Sequence, residues 1–261
     1  MKALTVVGAA VLAAGMARAR LRNWGATREE VDAIHHGDDL VAGPVTTSTY
    51  AVTVQAPADT VWSWLVQIGQ DRGGMYSYEW LENLFGLDIH NADRIHEEWQ
   101  LLAVGDAVRV VPRGWLGMRE GYAFRVALVD PPRALVLRQQ PPEHPWDSTW
   151  AFLVVPDSAD HCRLLSRSRT AKASGVAGIA SLVAAALMEP VILRMTRRML
   201  VGIKSRAEHD ARRPQAGLRP TPGSPSLAPQ WGEVRTMLID EQMPQWEQHV
   251  VRAEPVVAAH R

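Results

Sequence analysis

The densest run of side chains able to do chemistry is His90, Asn91, Asp93, Arg94, His96, Glu97 and Glu98. A histidine beside carboxylates is what a metal site or a general acid/base pair requires. The spacing matches no familiar zinc signature, since no His-Glu-x-x-His pair is present. On a helix His90 and Asn91 would each share a face with Arg94, whereas Asp93 would pair better with His96 or Glu97. His90 and Asp93, with Arg94 beside them, are the acid/base candidates. A simpler account outweighs this one: Asn91, Asp93 and Arg94 cap and pin a loop, because buried loop polar groups must find partners. Nucleophilic catalysis has no support. There is no Gly-x-Ser-x-Gly elbow, and the single cysteine, Cys162, has no adjacent base in sequence. One cysteine also excludes an internal disulfide framework and a thiolate-rich zinc site. No metal and no cofactor is expected.

A second group is aromatic. Gly69, Gly73 and Gly74 precede Tyr76, Tyr78 and Trp80. Glycines here permit left-handed backbone or the close approach of another segment. The stretch lacks the glycine–lysine order of a phosphate loop. Either it is a tight connector, with Asp71 and Arg72 paired at the surface, or its aromatics wall the mouth of a cavity; the residues leave both open. The chain carries 10 Trp against 3 Phe. Trp62, Trp64 and Trp80 fall on helical segments and Trp150 on a strand, where a large aromatic is usually core. One or two facing a cavity would suit a flat apolar ligand. Met195 and Met199 would line the same space with adaptable side chains. The ligand-binding candidates are therefore Trp64, Tyr76, Tyr78, Trp80, Trp150, Met195 and Met199. Arg163, Arg167 and Arg169 share one strand face, which reads as outward and solvated. Turned inward, they would need an anionic partner.

The elements that must position these groups follow from periodicity. Tyr50, Val52 and Val54 alternate as one face of a strand. Pro57 signals a helix start, and Val61, Trp64, Leu65 and Ile68 form its apolar stripe. A second short helix is predicted over Tyr78–Phe85, ended by Gly86. The period then becomes two: Val108 and Val110; Tyr122, Phe124, Val126 and Leu128; Leu135 and Leu137; Trp150, Phe152 and Val154; and Cys162, Leu164, Ser166 and Ser168. The links between these strands are short, which favours antiparallel pairing. After Arg169 the pattern is helical again, with Glu189-Pro190 as a kink or restart. Ile192, Met195, Met199, Ile203 and Ala207 make its stripe, and the helix ends near Ala211.

The 261 residues carry 28 basic and 28 acidic side chains. Zero net charge argues against a nucleic-acid partner, which would need a basic excess. A hydrophobic content of 47% with 21% charge supports a core rather than disorder. Residues 1–20 form an apolar N-terminal segment. Positions 3–17 are uncharged and would rise about 22 Å as a helix, short against a bilayer core of about 30 Å. A membrane anchor, a signal peptide with its Ala17-Arg18-Ala19 pattern, and a soluble Ala-rich helix compete. The anchor comes first. Basic residues on its C-terminal side would leave the main domain in the cytoplasm; a soluble cytoplasmic or an exported chain is the alternative. Residues 21–43 read as a polar linker with one short helix at Thr27–Ala33, capped by Thr27. Residues 44–211 form the main domain, 212–230 a Pro-rich linker, and 231–261 a tail too short for its own core.

The order strand, two helices, antiparallel strands and long helix is joined by specific phrases. These are Trp24-Gly25-Ala26-Thr27; Ala56-Pro57 with Val61-Trp62 and Trp64-Leu65-Val66-Gln67-Ile68-Gly69-Gln70; and Asp71-Arg72-Gly73-Gly74-Met75-Tyr76-Ser77-Tyr78. Asp88-Ile89-His90-Asn91-Ala92-Asp93-Arg94-Ile95, Val104-Gly105-Asp106, and Met199-Leu200-Val201-Gly202-Ile203-Lys204 with Ala207-Glu208 follow. In these residues, from about Leu21 to Ala211, the chain resembles the START-like helix-grip superfamily (SRPBCC, polyketide cyclase/dehydrase-like), in an uncharacterised bacterial subgroup. The resemblance implies an α+β fold: a curved antiparallel sheet wrapped around a long C-terminal α-helix, with two short helices after the first strand. It implies a cavity between sheet and helix that takes a hydrophobic small molecule, lipid or polyketide-like. Two alternatives stand beside that partner. One is a cyclase or dehydratase using His90 and Asp93 as acid/base, which is analogy of fold. The other is a non-enzymatic protein-interaction module using the linker and tail.

Overall fold

Alternating apolar positions produce six strands, and their register decides what each face of the sheet meets. In the computed structural model these are β1 (Thr46–Val54), β2 (Ala107–Val111), β3 (Tyr122–Asp130), β4 (Ala134–Gln139), β5 (Ser148–Pro156) and β6 (Cys162–Thr170). They pair antiparallel in the order β1-β6-β5-β4-β3-β2, leaving β1 and β2 as edges. Helices α1 (Arg28–Asp32), α2 (Ala58–Val66), α3 (Glu79–Leu84) and α4 (Gly175–Arg212) complete the fold. This is a curved antiparallel sheet with a long C-terminal helix, the helix-grip arrangement expected from the sequence. The structure describes residues 18–144, 146–171 and 175–213, with side chains in α4 from 188 onward. Segments 3–17 and 231–261, and nearly all of 212–230, lie outside the described residues. Among the described residues no helix is long and apolar enough to cross a membrane.

The inner face carries the main core. Val52, Val54, Leu164, Phe152, Leu135, Leu137 and Val126 from the sheet pack against Val61, Trp64 and Leu65 of α2 and Met199, Leu200, Ile203 and Ala207 of α4. On α2 Val61, Trp64 and Leu65 of the expected stripe are buried, with Ile68 just past the helix end; on α4 Met199, Ile203 and Ala207 are buried, whereas Met195 is half-buried and Ile192 is exposed. Pro190 does not end α4; the helix runs through it. At residue 202 α4 passes against the loop before α3. A Cβ there would sit 2.2 Å from the Tyr76 carbonyl oxygen, so only glycine fits.

The sheet breaks register in two places, between Arg109 and Val111 on β2 and again within β3. The register shifts between Val126 and Leu128. A bulge of this kind inserts one extra residue and reverses the in–out phase. Leu128 therefore joins Ala51, Ala134, Leu153, Leu165 and Ala26 on the outer face, and Val129 takes the inward position. The sequence pattern, read without a bulge, put Leu128 with Val126.

The outer face holds the arginines, and it is covered rather than solvated. Residues 21–43, predicted as a polar linker, supply its cover. Thr27 caps α1 in a capping box with Glu30. Glu30 accepts two hydrogen bonds at 2.7 Å from Arg163. Asp38 pairs with Arg167 at 2.8 Å and with Arg169 at 3.2 Å. Arg167 is 6% exposed and also donates to Thr49 Oγ1 and the Val31 carbonyl. Burial works against the Asp38 charge, but hydrogen bonds from Arg167 and the His35 amide, with both arginine charges, hold it below the usual carboxylate range.

Removing one partner of a buried ion pair strands the other charge, at a cost of about 3–5 kcal/mol. Asp38→Ala is expected to lower unfolding free energy by that order in chemical denaturation. Asp39→Ala, one residue on and exposed, should stay within about 0.5 kcal/mol of wild type.

Candidate functional site

The polar loop that looked most chemical is pinned from several sides. Asn91 accepts the Tyr76 amide on its Oδ1, and its own amide donates to Glu79 Oε2 at 2.9 Å. The Asn83 side chain brackets Ile89, accepting its amide at 2.7 Å and donating to its carbonyl at 2.8 Å. Arg206 Nε donates to the Ala92 carbonyl at 2.8 Å. Gln67, fully buried, is the hub: its Nε2 donates to Tyr76 Oη and the Arg94 carbonyl, and its Oε1 accepts the His96 amide at 3.1 Å. The side chains proposed for acid/base work lie outside this network. The His90 side chain is 74% exposed, near Asp88 at 3.2 Å and Glu79 at 3.5 Å. Asp93 and Arg94 are exposed as well. None of the three lines either opening described below.

The aromatic candidates divide. Trp64, Tyr76 and Met199 are buried in the core. Trp64 Nε1 donates to Asp210 Oδ2 at 2.9 Å, and its ring meets Tyr76 edge-on at 5.9 Å. Tyr76 is held at positive φ (54°), an unusual backbone for a bulky side chain. Gln67, Asn91, Trp64 and the Arg206 guanidinium 4.9 Å over its ring fix it there. Tyr78 and the 69%-exposed Trp80 line an open surface groove with Ser77, Asn83 and Arg198. Arg194 and Arg198 lie over the Tyr78 ring at 6.0 and 5.9 Å. Met195 is half-buried, its carbonyl accepting from Ser77 Oγ at 3.4 Å. Trp150 is on the inner sheet face, 5.4 Å from Phe124 and 4.8 Å from Phe152, with Nε1 donating to Ser166 Oγ at 2.8 Å.

Beside Trp150 the sheet and α4 separate. A cavity of about 260 Å³ lies between the start of β1, the end of β6 and the turn of α4 from Glu189 to Thr196. The register makes its floor: Thr46 opposes Thr170, Ser48 opposes Ser168, and Tyr50 opposes Ser166. Val45, Ile192 and Leu193 supply its apolar wall, and Thr196 a further hydroxyl. Arg18 and Arg22, four residues apart on one helical face, both grip the Glu189 carboxylate at its rim. Burial pushes the Glu189 carboxyl up, but those hydrogen bonds more than reverse it, so the carboxylate is held low. The Tyr50 ring is 3% exposed, and its hydroxyl has no hydrogen-bond partner among the described residues. Burial, then the Glu189 charge, push the phenol up to about 12, against Arg22.

None of the cavity's floor was among the candidates from sequence. The available signal was phase: Thr46 and Ser48 continue the inward period of Tyr50, and Ser168 that of Leu164. Inward hydroxyls at one end of two paired strands mark a place where the core stops being dry.

No family model matches the sequence, and no curated protein matches it. Among solved structures the chain is similar to the Zhui aromatase/cyclase from Streptomyces sp. R1128, at 20% identity and TM-score 0.38, covering 64% of this chain and 96% of that one. It is also similar to norcoclaurine synthase from Thalictrum flavum, solved with dopamine and hydroxybenzaldehyde, at 16% identity and TM-score 0.34, covering 66% of this chain and 92% of that one. At these values the likeness carries nothing about ligand or reaction.

Glu82, on α3 beside the open groove, is 1% exposed with neither carboxyl oxygen partnered among the described residues. Burial, then the neighbouring Glu79 charge, raise it to about 7. Its folded pKa lies above the unfolded carboxylate value of about 4.3, so the native state holds the extra proton in between. Stability is then highest at the acid side of that window and falls as pH rises from about 5 to 7. Glu30, Asp38 and Glu189 act oppositely, losing their contribution only as pH falls through their lowered values. Melting temperature is expected to drop between pH 5 and 7.5, and Glu82→Gln to remove most of that drop. An equal drop in the variant would show that the proton sits elsewhere.

Proposed function

We propose that the chain binds a small hydrophobic molecule, lipid or polyketide-like, in the cavity between the start of the sheet and the last helix. The observation that carries this reading is the cavity itself: about 260 Å³, with an apolar wall and a floor of hydroxyls. A dry engineered cavity of about 150 Å³ accepts benzene. This one suits a body of two fused rings or an equivalent aliphatic chain. A few convergent polar groups in an otherwise carbon-lined space are the usual make-up of a ligand site.

Binding fits the geometry better than acid/base catalysis. The titratable groups on the described walls are Tyr50, Glu189, Arg18 and Arg22. A phenol raised to about 12 holds its proton at neutral pH, and a carboxylate held low by two arginines is a poor base. His90 and Asp93 are exposed and are not among the residues that line this space.

Equilibrium dialysis of the full chain against 2-isopropylnaphthalene tests the reading. The expected result is saturable, one-to-one retention. Thr196→Phe, which fills the cavity from the helix side, should weaken retention by about tenfold or more while leaving the melting temperature close to wild type. No saturable retention, or equal retention by the filled variant, would remove the cavity as the site.

A further inference from the structure

We propose that Tyr50 sets the specificity of this cavity, its hydroxyl donating a hydrogen bond to a carbonyl-type oxygen on the bound molecule. The inference rests on the binding function proposed above and names the chemistry of the ligand's polar end.

Three observations converge on it. First, the side chain is 3% exposed and lines the cavity, yet its Oη has no partner among the described residues. A buried hydroxyl without a partner is uncommon and calls for an explanation. Its cross-strand neighbour Ser166 is occupied by Trp150, whose Nε1 donates to Ser166 Oγ at 2.8 Å. Ser48 and Ser168 line the same floor without reaching it.

Second, the nearest carboxylate is taken. Glu189 accepts from both Arg18 and Arg22 and does not receive the Tyr50 proton. Third, the rim carries two guanidinium groups against one carboxylate, a surplus of one positive charge. That surplus favours an electron-rich acceptor over a donor at the polar end of the ligand. A phenol is protonated at neutral pH, and burial pushes this one further up, so it is available to donate.

A matched pair of probes separates this role from mere contact. 2-Acetylnaphthalene and 2-isopropylnaphthalene have nearly the same shape and differ in a carbonyl oxygen against a methyl group. In equilibrium dialysis with the full chain, Tyr50→Phe is expected to weaken 2-acetylnaphthalene by about tenfold, as loss of one hydrogen bond implies. It should leave 2-isopropylnaphthalene within about twofold, and Ser48→Ala should change neither ratio. Because the hydroxyl is unpaired in the free protein, Tyr50→Phe should not lower the melting temperature. Equal weakening of both probes, or of neither, overturns the proposal while the cavity stands. Failure of both probes to bind wild type defeats the binding function, and this inference with it; retention of 2-isopropylnaphthalene without 2-acetylnaphthalene overturns this inference alone. The wild-type protein gives a reading independent of any variant: the carbonyl stretch of bound 2-acetylnaphthalene should move to lower frequency than in hexane. An unshifted stretch would also overturn the proposal.

Discussion

The fold depends on burying the loop between α2 and α3 without leaving its backbone unpaired. Buried peptide groups that lose water must recover their hydrogen bonds inside the protein. Here a single side-chain amide does much of that work. Gln67 is fully buried and reaches the Tyr76 hydroxyl, the Arg94 carbonyl and the His96 amide together. It ties two loops distant in sequence to the end of α2. The loop's own turns close on themselves, with Gly69 and Gly74 exchanging backbone bonds at 3.0 and 2.8 Å. α4 lies across this plug at Gly202, where no side chain intervenes. Met199, Leu200 and Ile203 are then carried onto the sheet by the same helix. The grip of helix on sheet follows from a satisfied loop as much as from apolar area.

Charge closes the other side. β1 is an edge strand, with open amides and carbonyls that invite pairing with another chain. The stretch just before α1 covers it: the Ala51 amide donates to the Trp24 carbonyl, and the Thr49 amide to Asn23 Oδ1. A Cβ at residue 25 would lie 2.2 Å from the Ala51 carbonyl oxygen, which explains a glycine there. From this crossing the chain runs both ways around the edge. One arm passes over the outer face, where Glu30 and Asp38 meet the arginines of β6. The other brings Arg18 and Arg22 to Glu189 on α4. The same segment therefore neutralises the outer face and forms part of the cavity rim.

The elements were legible because each rests on local pattern. The helix cap at Thr27, the stripe of α2 and the inward alternation of β5 need only near neighbours in sequence, and each stands where the pattern places it. The site was less legible because it depends on long-range register. Tyr78 and Trp80 border a groove and Trp150 faces inward, but Trp64, Tyr76 and Met199 are consumed by packing. Large aromatics at helical period signal burial, and burial against protein or against ligand gives the same pattern. Leu128 was misplaced for a related reason: a bulge is set by pairing with β4, and nothing in its own strand announces it. The cluster around His90 drew attention through composition, and the loop-pinning account already outweighed catalysis there. Charged residues on a pinned, solvent-facing loop look like a site until the backbone beneath them is seen to need Asn91 and Gln67.

Several buried polar groups away from the cavity are well partnered: Gln67 is shared among several partners, Arg167 bonds to Asp38, Thr49 and Val31, and Trp64 finds Asp210, while the Glu82 carboxyl oxygens are left without a partner among the described residues. In the cavity the Tyr50 hydroxyl is left over. An unpaired buried hydroxyl costs the fold roughly 1–3 kcal/mol, and phenylalanine would fill the same volume without that cost. Neighbouring positions show that the sequence elsewhere resolves such conflicts with ordinary side chains, as Ser166 does for Trp150. A tyrosine retained where phenylalanine would be more stable is consistent with a partner that the folded chain itself does not contain. The two arginines fixed on Glu189 fit the same logic. Their ion pairs with Glu189 hold them in place at the rim, so that little ordering would remain for the binding of the proposed ligand.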